Sequence, residues 1–160
     1  MNPLIYRTNV ETLSENKSDA IFHNRSAFHA EIVYEALFDY AKSSINIFCE
    51  SLDDRVFGSD RVLKATTRAI QRSVRISVIY QDRSAEDSRF FKKFNNYNGL
   101  HKVSLKFAPE HLREQAGNFA VVDSRAFRLE PDKSTCEAFV SFNRPALAEE
   151  LEHFFKKNLT

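Results

Sequence analysis

The chain has 160 residues, 42% of them hydrophobic and 28% charged, with a formal net charge of +1. This size and balance fit one globular domain and exclude a disordered chain. Near-neutral charge excludes a uniformly basic surface, so any nucleic-acid contact must come from a local patch. Fifteen Phe against no Trp and three Gly point to a core filled by phenylalanine. Cys49 and Cys136 sit far apart in apolar runs, without metal-ligand spacing, as buried thiols of a reducing compartment do. Neither a leader of charged-then-apolar pattern nor a membrane-length apolar run is present. The expectation is a cytoplasmic protein with no membrane contact.

Residues 1–20 read as a polar N-terminal arm, loose apart from a short strand at Leu4-Ile5-Tyr6, and residues 21–160 as one domain. Ser26 caps a helix running to Lys42, with Phe28, Ile32, Val33, Ala36, Leu37 and Tyr40 on one face. Ile45–Cys49 reads as a strand, and Gly58-Ser59-Asp60 breaks the chain and caps a second helix to Arg72. The β-branched run Val74–Tyr80 is a further strand. A third helix starts at Ser84 and carries Phe90, Phe91 and Phe94, and Asn95–Gly99 is a turn cluster. Val103–Phe107 alternates as a half-buried strand does. Pro109 opens a short turn through Arg113. Strands follow at Phe119–Val122, Ala126–Leu129 and Glu137–Phe142. A last helix begins near Pro145, with acids early and lysines late as its dipole favours. Helices alternating with strands, then a β-rich segment and a closing helix, describe an α/β fold: a layered mixed β-sheet flanked by helices.

Asn118-Phe119-Ala120-Val121-Val122-Asp123 is a buried strand ending in a carboxylate. Taken in order with Ile47–Leu52, Val74–Ile79 and Phe142–Leu151 followed by Phe154, it resembles one half-domain of the phospholipase D superfamily over residues 25–159. That family's mark is His-x-Lys-x4-Asp. The resemblance implies a cleft where two such segments meet, within one chain or across a homodimer. One histidine attacks phosphorus, the other protonates the leaving oxygen, and the lysines hold the phosphate charge. Only the aspartate maps here, as Asp123. Ala116 stands at the histidine position and Asn118 at the lysine position, while Glu137 falls where relatives carry a later glutamate. Leu129-Glu130-Pro131 replaces the small Gly-Ser pair. Alanine offers no nucleophile, and loss of a positioned nucleophile removes orders of magnitude in rate. The site therefore reads as that of a pseudo-enzyme, without cofactor or metal.

His101 and His111 are the candidates for a substitute imidazole in a residual phosphodiesterase or nuclease, although neither falls in the strand. Glu110 with Glu114, and Asp53 with Asp54, read as solvated acids rather than catalytic pairs. Arg61, Lys64, Arg68 and Arg72 recur at helical steps, and Arg75 extends the stripe. Such a ridge can track phosphates, or it can be the solvated back of an amphipathic helix. Three functions compete: an inactive interaction or regulatory subunit, as a homodimer or with another protein; a nucleic-acid binder using the ridge; and a residual phosphodiesterase.

Overall fold

A computed structural model describes residues 2–97, 102–115 and 117–159. Among them, seven strands form one sheet: β1 (Phe22–Asn24), β2 (Ser44–Cys49), β3 (Arg75–Tyr80), β4 (Val103–Phe107), β5 (Asn118–Val122), β6 (Ala126–Glu130) and β7 (Ala138–Ser141), in the order β1-β7-β6-β5-β2-β3-β4. Strands β2, β3 and β4 run parallel, while β5 lies antiparallel to β2 and begins an antiparallel half that ends at β1. The sheet is mixed, as the patterning predicts.

Period-two alternation sorts the strand residues between two cores. Ile45, Ile47, Ile76, Val78, Ala120 and Val122 point to the face covered by α2 (Ala27–Tyr40) and α3 (Asp60–Gln71). Phe48, Ile79, Phe119 and Val121 point to the other face, under α5 (Pro145–Leu159), where they meet Ala148 and Phe155. Phe48, Phe119 and Phe154 stack or meet edge-to-face there. The helix starts follow the sequence: Ser26 Oγ accepts the His29 N–H and Ser59 Oγ accepts the Val62 N–H.

Two local expectations are corrected. The segment read as a loose arm with a strand at Leu4-Ile5-Tyr6 is a helix, α1 (Pro3–Glu15). Asn2 caps it through Leu4 N–H at 2.8 Å, and Pro3 opens it. Tyr6 and Val10 are buried, Tyr6 stacks on His29 with ring centroids 3.8 Å apart, and Arg7 pairs with Glu35 of α2 at 3.1 Å. The third helix is split. Residues Arg83–Asp87 form a 3-10 turn, and α4 (Arg89–Phe94) starts afresh because Ser88 Oγ accepts the Phe91 N–H. Strand β1 was not anticipated; it pairs with β7 at the sheet edge.

Candidate functional site

The order β5-β2-β3 places an antiparallel strand beside a parallel pair, and open α/β sheets form crevices beyond the carboxyl ends of their parallel strands. Such a crevice opens here, past Cys49 at the end of β2. Asn118 starts β5 at its floor, and the loop after β2 forms one wall. The cavity is about 90 Å³. Asn118 stands opposite Glu130 in the β5–β6 register, and Ala120 stands opposite Arg128, which sets both charged side chains on the α2 face. Asn118 Oδ1 accepts the Glu50 N–H at 3.1 Å, and its Nδ2 donates to Glu130 Oε2 at 2.7 Å. The amide therefore ties β2 to β6 across β5.

Arg128 and Glu130 are 3% and 5% exposed, which is rare for charged residues unless they are paired. Arg128 Nε donates to Asn24 Oδ1 at 3.0 Å, and its guanidinium carbon lies 5.2 Å from the centre of the Tyr34 ring. Arg128 Nη1 stands 3.8 Å from Glu130 Oε2, a charge contact beyond hydrogen-bond reach. At the mouth, Lys133 lies 3.7 Å from Glu50, and Arg55 pairs with Asp53 at 2.6 Å. Burial pushes the Tyr34 phenol to about 12, against the pull of Arg128. Burial also pushes the Cys49 thiol to about 12. Both groups stay neutral at ordinary pH. Gln81, buried at the end of β3, donates to the Leu112 and Gln115 carbonyls at 2.8 and 2.9 Å and so fixes the approach to β5.

Asp123 lies at the other end of β5, roughly 17 Å from Asn118 at ~3.4 Å per residue. Its carboxylate accepts three backbone N–H groups that lead into β2: Lys42 and Ser43 at 2.8 Å and Ser44 at 3.0 Å. Asp123 and Ser124 take φ of 54° and 57°, and Arg125 N–H donates to the Val122 carbonyl at 3.0 Å. This is the primed turn geometry suited to a hairpin, and Asp tolerates it better than most residues. The Asp123 carboxylate thus caps the chain where it enters β2.

The other sequence-predicted residues scatter. Ala116 and His101 lie outside the described residues. His111 is exposed on the short turn after β4, with Nε2 3.4 Å from Asn158 Oδ1 of α5, and it does not line the cleft. Glu137 is exposed just before β7, in a separate groove with His23, Arg25 and Phe139. Among the described residues lining the cleft there is no histidine. The basic stripe of α3 faces the acids of α2: Arg61 lies 3.7 Å from Glu31 and 3.8 Å from Glu35, and Arg68 forks onto Asp39 at 3.0 and 2.9 Å. Arg72 donates to the Phe38 and Ala41 carbonyls at 2.7 and 2.9 Å, capping the end of α2. Lys64 and Arg75 are exposed and make no ion pair with a described residue. No group of ligand-type side chains among the described residues could hold a metal, and no described helix is long and apolar enough to cross a membrane.

Sequence reasoning missed Arg128, Glu130 and Tyr34 as site residues. No local signal marked them: Ala126 and Phe127 put a buried apolar residue on each face of β6, so the hairpin pattern alone does not tell that Arg128 and Glu130 are enclosed.

No family model and no curated protein sequence matches the chain. Solved structures do. Nuc of Salmonella typhimurium, a phospholipase D family member, superposes with a TM-score of 0.65 at 19% identity, over 88% of this chain and 93% of that one. The archaeal chromatin protein TrmBL2, whose structure is described as showing a novel mode of DNA binding, gives 0.67 at 14% identity, over 96% of this chain and 57% of that one. NucT of Helicobacter pylori gives 0.57 at 10% identity, over 88% and 96%. The fold is that of phospholipase D family members, and at these identities the likeness is one of fold.

Proposed function

We propose that this chain is a non-catalytic phospholipase D-fold domain that works by binding, as an interaction or regulatory subunit assembling with a second copy or another protein. The observation that carries the reading is the content of the crevice. An Asn118–Glu130–Arg128–Asn24 chain of polar contacts runs along the crevice, and among the described residues that line it there is no imidazole. Glu130 stands beside the equally buried Arg128 and balances its charge, which supports a crevice whose guanidinium is engaged within the protein. Incubation with bis(p-nitrophenyl) phosphate and with labelled single-stranded DNA, with and without divalent metal, tests the reading. No turnover above buffer is expected; turnover abolished by His111→Ala would overturn it. Light scattering of the purified chain then tests assembly, and a strict monomer that captures no protein would count against the interaction role.

A second reading, nucleic-acid binding without cleavage, draws support from the DNA-binding description of the chromatin protein. In this chain Arg83 and Arg113 lie 4.1 and 4.3 Å from the Phe107 ring centre, beside the carboxyl ends of β3 and β4. Much of the α3 ridge is engaged by α2, so Lys64 and Arg75 are what remain of it for phosphates. Retention of labelled DNA that falls steeply with salt and is lost in Lys64→Glu/Arg75→Glu would favour this reading.

A further inference from the structure

Helix α1 is held to the rest of the domain by few contacts. It packs chiefly on α2, and of its side chains only Tyr6 and Val10 are fully buried. Leu13 is partly buried beside them, and Arg7 reaches Glu35. Tyr6 lies on the imidazole of His29 in the first turn of α2, with ring centroids 3.8 Å apart and planes 13° from parallel. The Tyr6 hydroxyl donates to the His23 carbonyl of β1 at 3.4 Å. The stack is therefore the point where α1 meets both α2 and β1.

His29 Nδ1 is enclosed there, and of the buried side-chain nitrogen and oxygen atoms of the described residues it is the one left without a hydrogen-bond partner. A neutral ring with its proton on Nε2 leaves Nδ1 a bare acceptor. A second proton must go to Nδ1, which then becomes a charged donor with nothing to receive it, a larger penalty than a bare neutral acceptor. The groups around the ring give no relief. Ser26 Oγ is taken by the His29 N–H, and the amino end of α2 carries the positive pole of its dipole. The Tyr6 phenol is pushed up to about 12 by its own burial and stays neutral. Burial lowers the His29 pKa, the chain's amino terminus acts in the same sense, and no carboxylate among the described residues opposes them. The face of Tyr6 attracts a cation, but weakly beside an unmade hydrogen bond of a charged group.

We propose that α1 is an acid-sensitive strap, docked on α2 while His29 is neutral and loosened as His29 takes a proton, because undocking gives Nδ1 to water. The undocked ring titrates near its ordinary 6.5 and the docked ring below that, so docking is strongest above pH 6.5 and weakens as pH falls past it. Glu35 works the other way. Burial raises its carboxyl from 4.5 against the pull of Arg7, so its proton uptake favours the docked state, and a His29 variant separates the two titrations. Undocking bares Tyr6, Val10 and, beneath the groove that α1 borders, Ile32 of α2. Acid thus uncovers an apolar strip that neutral pH keeps closed. None of this depends on whether the crevice at the end of β2 is catalytic.

Amide hydrogen exchange of the full chain from pH 7.5 to pH 5, corrected for intrinsic rates, tests the strap, with NMR titration of the His29 ring alongside. The expected result is a His29 pKa below 6.5 and a loss of protection in α1 of about threefold or more, with α3 unchanged. His29→Phe keeps a stacked ring without a titrating nitrogen and should hold α1 protection constant over the same range. Tyr6→Ala opens the enclosure and should return the His29 pKa toward 6.5, which keeps the test decisive if His29→Phe does not fold. A parent His29 pKa at or above 6.5, or constant α1 protection, would overturn the proposal. Equal loss in His29→Phe would assign the effect to other groups, and equal loss in α3 would mean global acid unfolding; either result overturns it as well.

Discussion

Replacing Asp123 separates a structural carboxylate from a catalytic one. Asp123→Ala removes three hydrogen bonds to a charged acceptor and places a Cβ-bearing residue without a polar side chain at φ 54°. Fully buried, each such bond would contribute about 1.5–3 kcal/mol. The Lys42 and Ser43 N–H groups border solvent, so water can replace those partners and the three together contribute about 2–3 kcal/mol. The left-handed backbone adds about 1 kcal/mol for alanine. The expected loss is therefore about 3–4 kcal/mol. Asp123→Asn keeps Oδ1 for Ser43 and Ser44 and tolerates the turn, but turns an amide donor toward the Lys42 N–H. Its expected loss is about 1–2 kcal/mol. Urea unfolding followed by circular dichroism, with m unchanged across the series, measures both. If Asp123→Ala lay within about 0.5 kcal/mol of the parent, the cap would contribute little and the structural reading of this carboxylate would fail.

Alkaline pH should loosen the core around the crevice. Burial raises Cys49 from 9.0 and Tyr34 from 10.0, each to about 12, so the folded state keeps protons that the unfolded chain releases. Stability is then full below pH 9 and falls as pH rises from 9 toward 12, and Tyr34→Phe should flatten the upper part of that fall. Urea midpoints at pH 8, 10 and 11 check it, and a flat profile would contradict it. At pH 8 an aromatic disulfide reagent should titrate one thiol quickly, the partly exposed Cys136, and reach Cys49 only after unfolding; two fast thiols would mean an open crevice. Arg72→Ala should cost about 1–2 kcal/mol by uncapping the Phe38 and Ala41 carbonyls. The half-exposed Arg68–Asp39 pair predicts a loss within about 0.5 kcal/mol for Arg68→Ala. The reverse order of those two losses would refute the assignment.

The parts of the fold legible in the sequence are those whose signal is local. The caps at Ser26 and Ser59, the β-branched run of β3 and the dipole-matched charges of α5 each act within a few residues. Helix α1 was illegible for the opposite reason. Tyr6, Val10 and Leu13 are too sparse to define a face until α2 supplies the surface and Glu35 supplies a partner for Arg7. The stripe of α3 was visible, but Glu31, Glu35 and Asp39, which pair with it, sit on α2 some thirty residues earlier. Only the packing of α3 on α2 joins them. The crevice was half legible. Counting from Asp123 identifies Asn118 as a departure from the motif, but the compensation by Glu130 and Arg128 is a matter of cross-strand register across a turn. In sequence, Arg128-Leu129-Glu130 reads as polar positions of an outer strand. Burial follows only because β7 and β1 extend the sheet beyond β6 and α2 lies over it.

Central to this account is that the crevice is occupied by its own hydrogen-bonded charges and does not take phosphate. The side-chain nitrogen resonances of Asn118 and Arg128 report this directly, because Nδ2 of one is bonded to Glu130 and Nε of the other to Asn24. The account predicts slowly exchanging protons at both, with no shift on titration with inorganic phosphate or vanadate to tens of millimolar. Saturable shifts of either signal on adding those anions would show that the crevice still receives a phosphoryl group, and would contradict it.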